Sequence, residues 1–175
     1  MLNMGFKEDL DAILDKTSDT KVTLLFSATM PSNVQQISKT YMDNPHEITV
    51  GTRNAGIETV DHVCYAVRSH DRYLALKRIV DYHPEIYGII FCRTRVETKD
   101  VAAKLIQDGY NADAIHGELS QGQRDEVMGK FRKRQLQILV ATDVAARGLD
   151  VNDLTHIINY NLPDDPEIYT HRSGR

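Results

Sequence analysis

From residue 62 onward, short apolar runs alternate with longer segments of helical periodicity, and this alternation constrains the fold more than any other feature of the chain. Neighbouring parallel strands cannot be joined by a tight hairpin, so a strand, helix, strand rhythm is the mark of a parallel sheet with crossover helices. The expected strands are His62 to Val67, Gly88 to Cys92, Ala112 to Ile115, Gln137 to Val140 and His156 to Tyr160. Helices are expected over Arg72 to Tyr82, where Leu74, Leu76, Ile79 and Val80 are the apolar positions, over Val96 to Gln107 with Gly109 as its cap, and over Gln121 to Arg134. A short helix near Val144 to Arg147 and a last one opened by Pro166 complete the series. The expected fold class is α/β, a parallel sheet with helices on both faces.

The preceding residues follow the same rhythm more weakly. Lys7 to Asp15 reads as a helix and Val22 to Phe26 as a short strand. Pro31 then fits a first helical position, with Val34, Ile37 and Tyr41 along one apolar face, and His46 to Val50 reads as another strand. Over Gly51 to Thr59 (GTRNAGIET) the pattern vanishes, as in an interdomain linker, with a long surface loop inside one domain as the alternative. At 175 residues the chain has room for one core and part of a second, but hardly for two complete domains. The expected division is a domain remnant over 1–50, a linker over 51–61 and a second domain over 62–175.

A hydrophobic share of 41% against 26% charged residues excludes a disordered or collagen-like chain. No apolar run nears the roughly 18 residues of a membrane span, and the N-terminus lacks the basic-then-apolar layout of a secretory signal. A cytoplasmic protein with no membrane partner is therefore expected. Cys64 and Cys92 stand singly in expected strands, which suits buried thiols rather than a disulfide framework. A net charge of −4 and a pI near 5.9 exclude a protein that coats nucleic acid by bulk electrostatics, so any nucleic-acid site must be local. Basic residues do gather between Arg93 and Arg147, including Arg95, Lys99, Arg124 and the stretch Lys130 to Arg134, most of which also suits a solvated helix face.

In open parallel sheets ligands collect at the carboxyl ends of strands, where loops and helix N-termini converge with unpaired N–H groups. Four polar or basic clusters follow expected strands: Ser27 to Thr29, Arg93 to Arg95, His116-Gly117 and Thr142 to Asp150. In ATDVAARGLD (Ala141 to Asp150), Arg147 suits a phosphate, Gly148 permits close backbone approach and Asp150 suits a sugar hydroxyl. A helix cap at Asp143 and an ion pair between Arg147 and Asp150 explain the same residues equally well. In YTHRSGR, Arg172 and Arg175 lie three apart, on one side of a helix, and suit a triphosphate; a basic helix C-terminus complementing the macrodipole is the plainer reading. Ser27 and Thr29 also suit an N-cap. FCRTR (Phe91 to Arg95) and SQGQR (Ser120 to Arg124) suit a sugar-phosphate backbone, with Phe91 read as a core aromatic.

Taken in order, these segments resemble the DEAD-box family of RNA helicases. The opening MLNMGF is similar to the stretch that follows the family's DEAD tetrapeptide, SAT to its third motif and IIFCRTR to its fourth. SQGQR is similar to the QxxR element, ATDVAARGLD to the fifth motif and YTHRSGR to the start of the sixth, and the wording of HRSGR and AARGLD resembles bacterial members. The resemblance implies a RecA-like, P-loop NTPase-type fold in two domains, with ATP and RNA bound across their cleft and short duplexes opened locally. It implies that Thr94, Arg95, Gly117, Arg124, Thr142, Arg147 and Gly148 hold RNA phosphates and riboses. Gly148, Asp150, Arg172 and Arg175 would face ATP, with Arg175 at the γ-phosphate. His171 and Arg172 would contact the first domain, and Ser27 and Thr29 would couple nucleotide state to strand separation.

The resemblance also implies ATP with Mg²⁺ as cofactor, its metal ligands and P-loop lysine lying in a part of the first domain that this chain lacks. The chain stops before the family's further TGR, so as given it is expected neither to hydrolyse ATP nor to unwind RNA. A non-catalytic RNA-binding or partner-binding module of the same fold is the alternative, and a DNA helicase of the same superfamily is the third reading.

Overall fold

The computed structural model describes residues 7–18, 20–27, 30, 32–50, 60–146, 149 and 151–174. The chain divides into two compact units, Met1–Asn54 and Ala55–Arg175. The expected linker and the MLNMGF segment fall almost wholly outside the described residues.

The first unit contains α1 (Lys7–Leu14) and α2 (Ser32–Tyr41). Glu8 and Asp9 in the first turn of α1, and Lys39 in the last turn of α2, complement the helix dipoles. The Tyr41 hydroxyl donates to the Asp11 carboxylate and ties the two helices together. The strands expected at Val22 to Phe26 and His46 to Val50 do not form. Phe26 is 88% exposed and Val50 94% exposed. A strand-like apolar run is not sufficient for a strand: without a neighbour its N–H and C=O groups have no ladder partner.

In the second unit the same correction applies to His62 to Val67, which is irregular and leaves Val63 70% exposed. Cys64 is accordingly exposed, against the expectation of a buried thiol, whereas Cys92 is buried and its thiol is pushed up to about 12, chiefly by burial. After a 3₁₀ turn at Ser69–Asp71 the regular alternation begins with α3 (Arg72–Tyr82), β1 (Gly88–Phe91), α4 (Arg95–Gln107) and β2 (Ala112–Ile115). It continues with α5 (Gln121–Arg132), β3 (Ile138–Ala141), α6 (Asp143–Ala146), β4 (His156–Asn159) and α7 (Pro166–Ser173).

The four strands form one sheet in the order β2-β3-β1-β4, every neighbouring pair parallel. Side chains alternate across it with the two-residue period of a strand. Ile90, Cys92, Ile138 and Val140 face Leu76 and Val80 of α3 and Val101, Ala102 and Leu105 of α4. Ile89, Phe91, Leu139 and Ala141 face Val127, Met128 and Phe131 of α5 and Ala145 and Ala146 of α6. Helices therefore cover both faces, and both faces of β1 and β3 are apolar because each is fully buried.

Helix ends are set by local chemistry. Gly109 sits at φ +90°. Its N–H donates to Ile106 O at 3.0 Å and that of Tyr110 to Leu105 O at 2.9 Å, the paired closure of a Schellman end. The same closure ends α5 two residues before the expected Arg134: Arg134 adopts φ 56°, its N–H bonds Phe131 O at 2.9 Å, and Gln135 N–H bonds Lys130 O at 3.0 Å. A non-glycine residue at that position is why the sequence does not show the stop.

Candidate functional site

Because all four strands run parallel, the residues that follow them emerge on one edge. Thr94 follows β1, Gly117 follows β2, Thr142 follows β3 and Asn161 follows β4. The expected RNA-contacting residues Thr94, Gly117 and Thr142 are thus brought to one edge by topology alone.

At the first position, Thr94 takes an extended backbone and its Oγ1 accepts the Glu97 N–H at 3.1 Å, capping α4. Arg95 begins the helix and is exposed. Its Nη1 lies 3.2 Å from Glu118 Oε1, and Lys99 on the next turn pairs with Glu118 Oε2. At the second position, Gly117 is exposed, with nothing within 4 Å of where a Cβ would stand. His116 beside it is buried, and its Nδ1 accepts the Glu118 N–H at 3.3 Å. Burial, followed by the nearby Lys99, lowers the His116 pKa below its ordinary 6.5. The imidazole is thereby held as a neutral acceptor.

Ser120 and Gln123 form a complete capping box at the start of α5, Ser120 Oγ accepting Gln123 N–H at 3.3 Å and Gln123 Oε1 accepting Ser120 N–H at 2.9 Å. That rigid start sets the direction of Arg124, half-buried one position further on. Its Nη2 donates to Ala145 O at 3.2 Å, fastening α5 to α6. Thr142 is buried, with Oγ1 accepting the Ala145 N–H at 3.4 Å. Arg124 and Thr142 therefore meet on the same short helix. Arg147, Gly148 and Asp150, which follow it, lie outside the described residues, as do Thr29 and Arg175. Ser27 and His171 are exposed.

Arg172 departs from the expectation of an outward, ligand-facing arginine. It is 3% exposed. Nε and Nη2 donate to the two oxygens of Asp143 at 2.6 and 2.7 Å, and Nη1 donates to Asn159 Oδ1 at 2.6 Å and Asn161 O at 2.9 Å. Its guanidinium also lies 4.9 Å from the centre of the Phe91 ring. With four of its five donors already committed, Arg172 binds the end of β4 to the start of α6.

Asn159, Asn161, Glu97 and Glu118 belong to this edge and were not singled out from the sequence. Asn161 Oδ1 accepts the Arg93 N–H at 2.9 Å while its Nδ2 donates to Glu97 Oε1 at 3.1 Å, joining the ends of β1 and β4. The available signal is polar residues two apart closing an otherwise apolar strand, HIINYN. Among the described residues no group of three or more His, Cys, Asp or Glu is placed to hold a metal ion, and no helix is long and apolar enough to cross a membrane.

The family model of the helicase conserved C-terminal domain matches residues 71–175. An ATP-dependent RNA helicase CshA of Limosilactobacillus reuteri is 42% identical over all of this chain, which spans 35% of that protein. The crystal structure of a DEAD box protein from the hyperthermophile Methanococcus jannaschii is 45% identical with a TM-score of 0.64, covering 100% of this chain and 47% of that one. Dbp5 of S. cerevisiae, bound to RNA and ADP BeF3, is 26% identical with a TM-score of 0.86, covering 98% of this chain and 46% of that one. The chain thus spans less than half the length of each. Its parallel sheet is the RecA-like α/β fold of those structures, and with more than half its residues inside the family match the chain belongs to the helicase conserved C-terminal domain family, in its DEAD-box branch.

Proposed function

We propose that this chain is part of an ATP-dependent RNA helicase that grips RNA by its backbone, binds ATP with Mg²⁺ across a cleft between two RecA-like domains, and opens short duplexes or remodels RNA-protein complexes locally. One observation carries the reading. Thr94, Gly117 and Thr142 follow the carboxyl ends of three adjacent parallel strands, and Arg124 is fastened to the helix that Thr142 precedes. A row of hydroxyl, bare backbone and guanidinium along one edge suits a phosphate-ribose chain and offers little to distinguish one base from another. The L. reuteri relative is named an ATP-dependent RNA helicase and the Dbp5 structure contains RNA, which supports the same reading.

In this reading Arg95, Arg124 and Arg147 neutralise phosphates, and Gly117, Gly148 and Thr142 permit close approach. Asp150 accepts from the nucleotide ribose, while Arg175 stabilises charge on the γ-phosphate. Ser27, Thr29 and His171 link nucleotide state to RNA. Arg172 contributes by holding the start of α6 at Asp143.

The test is RNA-stimulated ATPase and single-strand binding by the full-length protein. Arg175→Ala is expected to abolish turnover and spare RNA binding. Arg124→Ala is expected to weaken binding to strands of any sequence and lower the salt slope by about 1. Normal turnover in the first variant, or sequence-selective loss in the second, overturns the assignment.

A further inference from the structure

We propose that Glu118 is a built-in competitor for RNA phosphate: its carboxylate occupies, between Arg95 and Lys99, the place a backbone phosphate takes, which makes Lys99 a further RNA-contacting residue and Glu118 the group that sets how tightly a strand is held. The inference rests on the backbone-binding reading above and deepens it.

Arg95 and Lys99 are four residues apart on α4 and so lie on one face, one turn above the other. Each takes one oxygen of the same carboxylate, Arg95 Nη1 at 3.2 Å from Oε1 and Lys99 Nζ against Oε2. Two cations converging on two oxygens of one anion form the same fork that a phosphodiester's two free oxygens would fill. The position fits as well. Glu118 adjoins Gly117 and Arg95 adjoins Thr94, so the cluster lies between two residues already placed on the RNA path.

The side chains of Arg95, Lys99 and Glu118 are 60%, 50% and 46% exposed, which leaves the cluster open to an incoming strand. Exposed ion pairs of this kind are weakly held, so a phosphate can exchange for the carboxylate. The hydrogen bond from Lys99, and then the charges of Lys99 and Arg95, hold the Glu118 carboxyl below the usual carboxylate range, so the competitor is ionised whenever the protein works near neutrality. The Glu118 carboxylate packs on none of the core clusters. Its removal therefore changes local charge and leaves the fold in place.

Counting these three side chains, local charge is +1 with Glu118 ionised and +2 with glutamine in its place. The experiment is fluorescence anisotropy of a labelled single-stranded oligouridine with the full-length protein, titrated over a range of KCl concentrations. Glu118→Gln is expected to tighten binding about fivefold at low salt and steepen the salt slope by up to about 0.9, the release of one further counterion. Lys99→Gln is expected to weaken binding and flatten the slope, and the double variant to return close to wild type. Looser binding in Glu118→Gln would show that the carboxylate orients Arg95 for RNA instead of competing with it, and unchanged affinity and slope would remove it from the site; either result overturns the proposal. If the full-length wild-type protein binds no RNA, or binds as well when Arg124 is alanine, the backbone-binding reading itself fails. If binding depends on Arg124 and is indifferent to Glu118 and Lys99, only the present inference fails.

Discussion

Arg172 and Asp143, 29 residues apart in sequence, are joined by two parallel hydrogen bonds of 2.6 and 2.7 Å, so the segment that leaves β3 and the helix that follows β4 are fixed to one another. The arginine is buried and the aspartate about a quarter exposed. This fork is what lysine cannot reproduce, since an ammonium has no planar pair of donors and reaches Asn159 and Asp143 at once only with difficulty.

Arg172→Lys and Asp143→Asn are therefore both expected to destabilise the chain. Breaking one partner of a buried pair leaves the other uncompensated, at a cost of about 3–5 kcal/mol, and the partial exposure of Asp143 reduces this to roughly 2–4 kcal/mol. Urea denaturation followed by circular dichroism measures it. A lysine variant within about 0.5 kcal/mol of wild type would show that charge alone, without the fork, holds the two segments.

Stability is also expected to fall on mild acidification. Burial, then Lys99 and Arg95, lowers the pKa of His116 despite the opposing Glu118, and burial followed by His83 lowers that of His156. In the unfolded chain both return to about 6.5. Between the folded and unfolded values the unfolded state binds more protons, so the contribution is full above pH 6.5 and is lost as the pH falls through that value toward the folded one. The loss is at most about 1.4 kcal/mol per pH unit for each histidine. Melting temperatures taken from pH 7.5 to 5.5 should decline, and His116→Gln should flatten part of that decline because glutamine keeps an acceptor for the Glu118 N–H without titrating. An equal decline in wild type and variant would exclude His116 as a source.

The outcomes for particular residues show what kind of information each expectation used. Ile89, Ile90, Leu139 and Val140 were recognisable because their burial follows from runs that are apolar on both faces, a property of a few adjacent positions. Val22 to Phe26 and His62 to Val67 have strand-like composition and remain unpaired, because pairing depends on a second segment elsewhere. Arg172 shows the same limit within the site. In a run with His171 and Arg175 it reads as a cation that addresses a triphosphate or complements the helix dipole. Its burial comes from Asp143, Asn159 and Asn161, which only the fold brings to it. Ser120 was legible as a helix start, since a cap hydroxyl and the backbone N–H that donates to it are three residues apart. Glu118 was not, because its meaning depends on two cations from another helix.

A last prediction follows from how closely β1 and β4 approach. Gly88 pairs with His156, and a Cβ on Gly88 would stand 2.5 Å from His156 O and 3.3 Å from His156 Cβ. The nearer contact is backbone, held in the sheet by its ladder, so it cannot swing aside as a side-chain tip would. Gly88→Ala is expected to cost about 2–3 kcal/mol, toward the upper end for overpacking. Gly129 provides the contrast: it lies inside α5 with nothing within 4 Å of a built Cβ. There alanine should stabilise by about 0.4–1 kcal/mol, through lost freedom of the unfolded chain. Opposite shifts of the denaturation midpoint in the two variants are the expected result. A Gly88→Ala protein as stable as wild type would mean that β4 can slide away from β1 without cost. Arg172 argues against such slack, since it grips Asn159 at the other end of β4 and Asn161 just beyond it and would have to follow.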